Sequence, residues 1–141
     1  MRYLLLLLCL PAFAQESSLV TAHNMYKGES ISIEAGMSEP FPLPLKEVRW
    51  TQPVPDEMTI QHIFTEGNVT ATPAAKNITF VAKDPKPGVM GTVTLRADAV
   101  GEIIILPPSV EADGYEVELD GEPIFLNVME KPKIRFFFRL G

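Results

Sequence analysis

Histidine and methionine are the first residues in this chain whose types and spacing could do chemistry. His23 and Met25 stand two apart in His23-Asn24-Met25, and Met58 and His62 lie in a second alternating run. Soft thioether and imidazole donors select copper. The ordinary role of the same residues is packing. Methionine fills irregular gaps in cores, and His62 lies between Ile60 and Phe64 on an apolar row. A periplasmic copper-binding β-sandwich using His23, Met25, Met58 and His62 stands as the alternative. The expectation is that the chain holds no metal and no cofactor.

Hydrolytic chemistry has less to build on. There is no Gly-x-Ser-x-Gly elbow for a serine nucleophile. The one cysteine, Cys9, sits in the opening apolar run. No glycine-rich loop could cradle phosphates. Asp56-Glu57, Glu66 and the Glu111/Asp113 pair could supply carboxylates for glycoside cleavage. All sit at turns, where acidic side chains are ordinarily only solvated, so a small hydrolase is the second alternative. Asp84, in the Asp84–Gly88 linker, offers calcium one carboxylate where six to eight oxygens are usual. Asn68-Val69-Thr70 and Asn77-Ile78-Thr79 are formal glycosylation triplets, but threonine-rich strands generate them by chance.

The elements that would position these residues are strands. "KGESISIEAG" alternates Ile31, Ile33 and Ala35 against Ser30, Ser32 and Glu34, the period of two that marks a half-buried strand. "EVRWT" puts Val48 and Trp50 on one face, and "MTIQHIF" puts Met58, Ile60, His62 and Phe64 on one face. "SLVTAHNMY" and "GNVTATP" add two more strands. "NITFVAKDPKPGVMGTVTLRA" reads as two strands joined by the kinked Asp84–Gly88 linker. Pro40, Pro42 and Pro44 mark a connector, because proline donates no ladder hydrogen bond. No run shows a capped 3.6-residue period, so almost no helix is expected.

The second part of the chain is also read as strands. "GEIII" is a continuous apolar run, as in a strand buried on both faces. "YEVELDGEPIFLNV" predicts a hairpin turning at Asp120-Gly121, with a return strand over Ile124–Met129. Ile134, Phe136, Phe138 and Leu140 then form an apolar row, with Arg135, Phe137 and Arg139 opposite. This last strand is expected either to close its own sheet or to dock on a partner through Arg135, Phe137 and Arg139; the internal role is favoured.

The opening "MRYLLLLLCLPAFA" carries Arg2, a short apolar run and the small-x-small signal Ala12-Phe13-Ala14. That is the layout of a secretory signal peptide cut before Gln15. The run is too short to span a bilayer as a helix, and Leu8 before Cys9 departs from the small residue of lipoprotein signals. Residues 15–141 would then be secreted or periplasmic, bacterial in style, cysteine-free and held by a core instead of disulfides. The 141-residue chain has a formal charge of −6. Acidic balance disfavours nucleic acid and anionic membrane surfaces, and no later stretch is apolar enough to span a membrane.

"KGESISIEA", "EVRWT", "NVTATPAAKNITFVAKD" and "GTVTLRA" together resemble an immunoglobulin-like module of the PKD or bacterial Ig-like kind. In that likeness Trp50 matches the core tryptophan, and Asp84 ends the penultimate strand. The resemblance implies adhesion, spacing or recognition, without catalytic residues. The expected fold is an all-β, immunoglobulin-like antiparallel β-sandwich over residues 15–98. Residues 99–141 form a C-terminal β-hairpin extension or a small second β unit. The expected role is a non-enzymatic binding or structural module that meets a protein or glycan partner through a sheet edge or loops.

Overall fold

A computed structural model describes residues 7–11, 22–39, 44–118 and 121–141. Twelve strands follow one another, with no α-helix among the described residues. They are β1 (Leu7–Pro11), β2 (His23–Tyr26), β3 (Ser30–Met37), β4 (Glu47–Pro53), β5 (Met58–Thr65) and β6 (Val69–Pro73). β7 (Asn77–Lys83), β8 (Gly88–Ala97), β9 (Gly101–Ile105), β10 (Ser109–Ala112), β11 (Tyr115–Val117) and β12 (Ile124–Met129) complete the order. Among the described residues three sheets form: β1-β3-β8-β5, β11-β10-β4-β7-β6 and β2-β12-β9. The all-β sandwich expected from the alternation is what the chain adopts.

Alternation places the core. β3 turns Ile31, Ile33 and Ala35 inward, β4 Val48 and Trp50, β7 Ile78, Phe80 and Ala82, and β8 Val93, Leu95 and Ala97. These side chains join one buried cluster with Met25, Met58, Ile103, Ile105, Leu126 and Val128. Burial of this kind is the main favourable term in folding. β7 and β8 lie in different sheets, so the Asp84–Gly88 linker crosses from one layer to the other. Asp84 takes a positive φ of 48° there, and its N–H donates to the Lys46 carbonyl at 2.9 Å. Strands from residues 101–129 are built into the same framework: β10 pairs with β4, and β12 with β2.

Four local expectations are corrected. The hairpin turns at Asp113-Gly114, not at Asp120-Gly121; β10 and β11 pair as Val110↔Val117, Glu111↔Glu116 and Ala112↔Tyr115. Asp113 and Gly114 have φ of 48° and 84°, the positive pair that a two-residue turn needs. Asp120 lies outside the described residues, and Ile124–Met129 pairs with β9 and β2 instead of returning along β11. β9 buries Ile103 and Ile105 but exposes Glu102 and Ile104, so it is covered on one face only. In β5 a bulge between Ile60 and His62 shifts the face, leaving Met58 buried while His62 and Phe64 are exposed. An extra residue reverses the alternation beyond it.

The fourth correction concerns residues 130–141, which form no strand and are exposed throughout. The amphipathic pattern of Ile134–Leu140 is present, but a strand also needs a neighbouring edge to bond, and none is engaged there. The proline connector at residues 40–43 and the start of "SLVTAHNMY" lie outside the described residues. Gly28 donates its N–H to the Ala97 carbonyl at 2.8 Å, which ties the β2–β3 turn to the end of β8.

Candidate interaction surface

Because Val48, Trp50 and Gln52 face the core, Glu47, Arg49, Thr51 and Pro53 must face outward from β4. The same alternation turns Asn77, Thr79, Val81 and Lys83 outward from β7. Strand pairing then aligns these residues in rows. One row runs Glu116–Glu111–Arg49–Val81–Thr70 across β11, β10, β4, β7 and β6. The next runs Ser109–Thr51–Thr79–Thr72. Thr51 Oγ1 and Thr79 Oγ1 are 3.4 Å apart, and hydroxyl pairs of this kind link neighbouring strands.

Charge is arranged along the same face. Lys83 Nζ donates to Glu47 Oε1 at 2.8 Å, and Arg49 Nη2 lies 3.7 Å from the same oxygen. The Lys83 hydrogen bond, with the Arg49 charge nearby, holds the Glu47 carboxyl below the usual glutamate range. Glu111 and Glu116 oppose each other directly, a repulsive pairing by itself, and Arg49 is the cross-strand neighbour of Glu111 on its other side. A cleft of about 330 Å³ runs between Arg49, Thr51, Ser109, Glu111 and Glu116. Such a surface can exchange hydrogen bonds and ion pairs with a partner laid flat upon it.

The sequence-predicted site residues are scattered. His23 and Met25 share the inner face of β2, opposite Leu126 and Val128 of β12, and Met25 is in the core. Met58 is also core, while His62 stands on the exposed side opposite Thr94. The expected Met58–His62 face is therefore broken by the bulge. No group of three or more His, Cys, Asp or Glu is placed to hold a metal among the described residues. Asp56 pairs with Lys76 at 3.4 Å. Asp113 accepts the backbone N–H groups of Lys46 and Glu47 at 3.0 and 2.9 Å, so it is a turn residue. Arg135, Phe137 and Arg139 are exposed, with the Arg139 guanidinium 5.0 Å over the Phe137 ring.

The rows on the five-stranded sheet are absent from the sequence reading. Glu111, Arg49 and Val81 come from strands far apart in the chain, and only the β10-β4-β7-β6 pairing makes them neighbours. The signal that could have found them is the outward half of each alternating run.

No family model and no curated protein matches the sequence. Solved structures do. A non-cellulosomal cohesin from Archaeoglobus fulgidus superposes with a TM-score of 0.60 at 8% identity, covering 92% of this chain and 93% of that one. The fold is cohesin-like. The seventh ScaB type I cohesin of Pseudobacteroides cellulosolvens gives 0.59 at 9% identity, over 96% and 99% of the two chains. The third ScaC cohesin of Acetivibrio cellulolyticus, solved with the ScaB dockerin, gives 0.59 at 11% identity, over 87% and 99%. The expectation of a β-sandwich holds. The likeness to cohesins supports a β-sandwich and is not specific to the immunoglobulin-like or PKD kind. No described helix is long and apolar enough to cross a membrane.

Proposed function

We propose that this chain is an exported, non-enzymatic protein-binding module that docks its partner across the outer face of β10-β4-β7-β6. The observation that carries this is the alignment of the Glu116–Glu111–Arg49 and Ser109–Thr51–Thr79–Thr72 rows on one face. Fixed strands hold the backbone under these groups in register, so only their side chains remain to be ordered on binding. Several of the cohesins that share the fold were solved in complex with dockerins. By that likeness the partner is a protein module, not a glycan. Export follows from Arg2, the leucine run and Ala12-Phe13-Ala14, which fit a leader removed before Gln15 and a bacterial cell-surface or periplasmic destination.

The face has both signs of charge in fixed places. A partner must therefore offer an acidic group to Arg49, donors to Glu111 and Glu116, and a flat polar strip to the hydroxyl row. Matched charge of this kind chiefly sets specificity and the rate of encounter. The test is binding of the secreted protein to dockerin modules encoded in the same genome, measured by calorimetry with Arg49→Glu and Thr51→Arg variants. A tenfold or greater loss of affinity in both, with unchanged melting temperature, supports the reading. Binding unaffected by either substitution removes the face from the proposal, and absence of binding to every module removes the partner class.

A further inference from the structure

The four-stranded sheet has an edge whose covering strand would not survive export. β3 is bonded to β8 along one side from Ser30 to Met37. Its other side bonds to β1, in the register Leu7↔Met37 to Pro11↔Ile33. β1 lies wholly within the residues that leader cleavage removes, and this inference rests on that reading. Once residues 1–14 are gone, the outward N–H and C=O groups of Ile33–Met37 form an open ladder, and an open ladder pairs readily with another strand.

The same chain carries a strand-patterned segment with no sheet. Ile134, Phe136, Phe138 and Leu140 are 85%, 83%, 92% and 102% exposed, an apolar row that water does not favour. The chemistry of segment and edge matches. A strand added to β3 must set apolar side chains beside buried Ile33, Ala35 and Met37, and polar ones beside Ser32 and Glu34. Ile134, Phe136, Phe138 and Leu140 meet the first demand. Arg135 and Arg139 meet the second on either side of Phe137, the one apolar residue on that face, bringing positive charge to the Glu34 side of an acidic chain.

We propose that in the processed protein the β3 edge takes up residues 134–140 of a second copy, as an antiparallel strand in the place β1 holds. Strand polarity selects a second copy over the chain's own segment. Met129 pairs beside Tyr26, and its carbonyl accepts the Lys27 N–H at 2.8 Å, so residues 130–141 depart near the Ser30 end of β3. Laid on its own edge from there, the segment would run parallel to β3. The antiparallel place, which β1 occupies, is reached naturally by a segment arriving from the Met37 end. A shallow cavity of about 180 Å³ beside Ala35, Met37 and Val89 lies at that end of the edge.

The experiment is light scattering on the secreted protein, its amino terminus fixed by mass spectrometry, across a concentration series. Phe136→Asp/Phe138→Asp and a deletion of residues 133–141 are run beside it, with hydrogen exchange at Ile33–Met37. Both variants remove residues that are exposed in the single chain, so their melting temperatures should match the parent at dilutions where it is monomeric and fall below it where it associates. The expected result is concentration-dependent association of the parent and a monomer from each variant. Protection of the outward amides of Ile33–Met37, those that do not bond to β8, should be lost in the variants and restored when a synthetic 133–141 peptide is added to the truncated protein. A parent that is monomeric at all concentrations overturns the proposal, as does association that persists in both variants. Edge protection in the truncated monomer also overturns it, since residues after Gln15 would then own the edge. A retained Met1 overturns the leader reading and this inference with it. Binding of a partner across the five-stranded sheet is read in the same variants and should be unchanged, which keeps the two proposals separable.

Discussion

The indole of Trp50 and the ring of Phe80 stack with centroids 4.8 Å apart and planes 7° from parallel. They are cross-strand partners on β4 and β7, each 1% exposed. Gly91 of β8 faces them from the opposite sheet. A Cβ built there would lie 3.0 Å from Phe80 Cε1 and 3.4 Å from Trp50 Cζ2. The layers thus meet where two large rings are accommodated by one residue without a side chain.

Trp50→Ala should cost about 3–5 kcal/mol, the usual range for truncating a buried aromatic. Gly91→Val should cost about 1–3 kcal/mol, because the added side chain must displace a closely packed ring. Urea unfolding measures both changes, followed by Trp50 emission for Gly91→Val and by circular dichroism for Trp50→Ala, which removes the single tryptophan. Native emission should be blue-shifted. A solvent-like maximum, or a Gly91→Val protein as stable as the parent, would contradict this account of the core. Trp50 Nε1 has no hydrogen-bond partner among the described residues, so Trp50→Phe should be milder than Trp50→Ala.

The Asp113-Gly114 turn gives a second expectation. Asp113 holds φ at 48° and Gly114 at 84°, and the Asp113 carboxylate binds the backbone N–H groups of Lys46 and Glu47. Gly114→Ala should cost about 1 kcal/mol or more, since a Cβ is disfavoured at positive φ. Asp113→Ala should cost about 0.5–1.5 kcal/mol, the net worth of an ordinary hydrogen bond, because water can reach those exposed donors. Asp113→Asn keeps the preference for the left-handed region and should cost less than Asp113→Ala. Thermal melts of the three variants decide the order, and equal melting temperatures for Asp113→Ala and the parent would count against a structural role for the carboxylate.

The strands themselves were legible because burial of one face writes a period of two into Ser30–Met37, Glu47–Pro53 and Asn77–Lys83. Trp50 was legible as core for the same reason. What failed is what depends on partners. The same Asp-Gly chemistry occurs at 113–114 and 120–121, and only the pairing of β10 with β4 selects the first. The His62 face reversed because a bulge leaves no residue-type mark at Gln61. Residues 134–140 alternate as well as any strand here, yet amphipathy cannot supply the edge that a strand requires. The interaction rows were hidden because Glu111 and Arg49 become neighbours only through a crossover in strand order.

The last prediction concerns acid. The Lys83 hydrogen bond holds Glu47 below its ordinary value of 4.5. For Asp98 the Thr59 hydroxyl, which donates to Oδ2, is the main cause of a shift below 3.8. Arg96 Nε adds to it, donating to Asp98 Oδ1 at 2.7 Å. Both carboxyls therefore hold protons less readily folded than unfolded. Their stabilisation is complete above the unfolded values and is lost as pH falls through the folded ones. The melting temperature should be flat near neutrality and begin to fall below about pH 4.5, where the unfolded chain takes up protons first. Glu47→Gln and Asp98→Asn should each lower the melting temperature at neutral pH and flatten that acid decline. Because solvent reaches both groups, which are half-buried, the difference should shrink in high salt. Melting curves recorded from neutral to about pH 3 at two salt concentrations test this directly. A Glu47→Gln/Asp98→Asn protein whose acid decline is as steep as the parent's would show that other carboxyls set the acid limb.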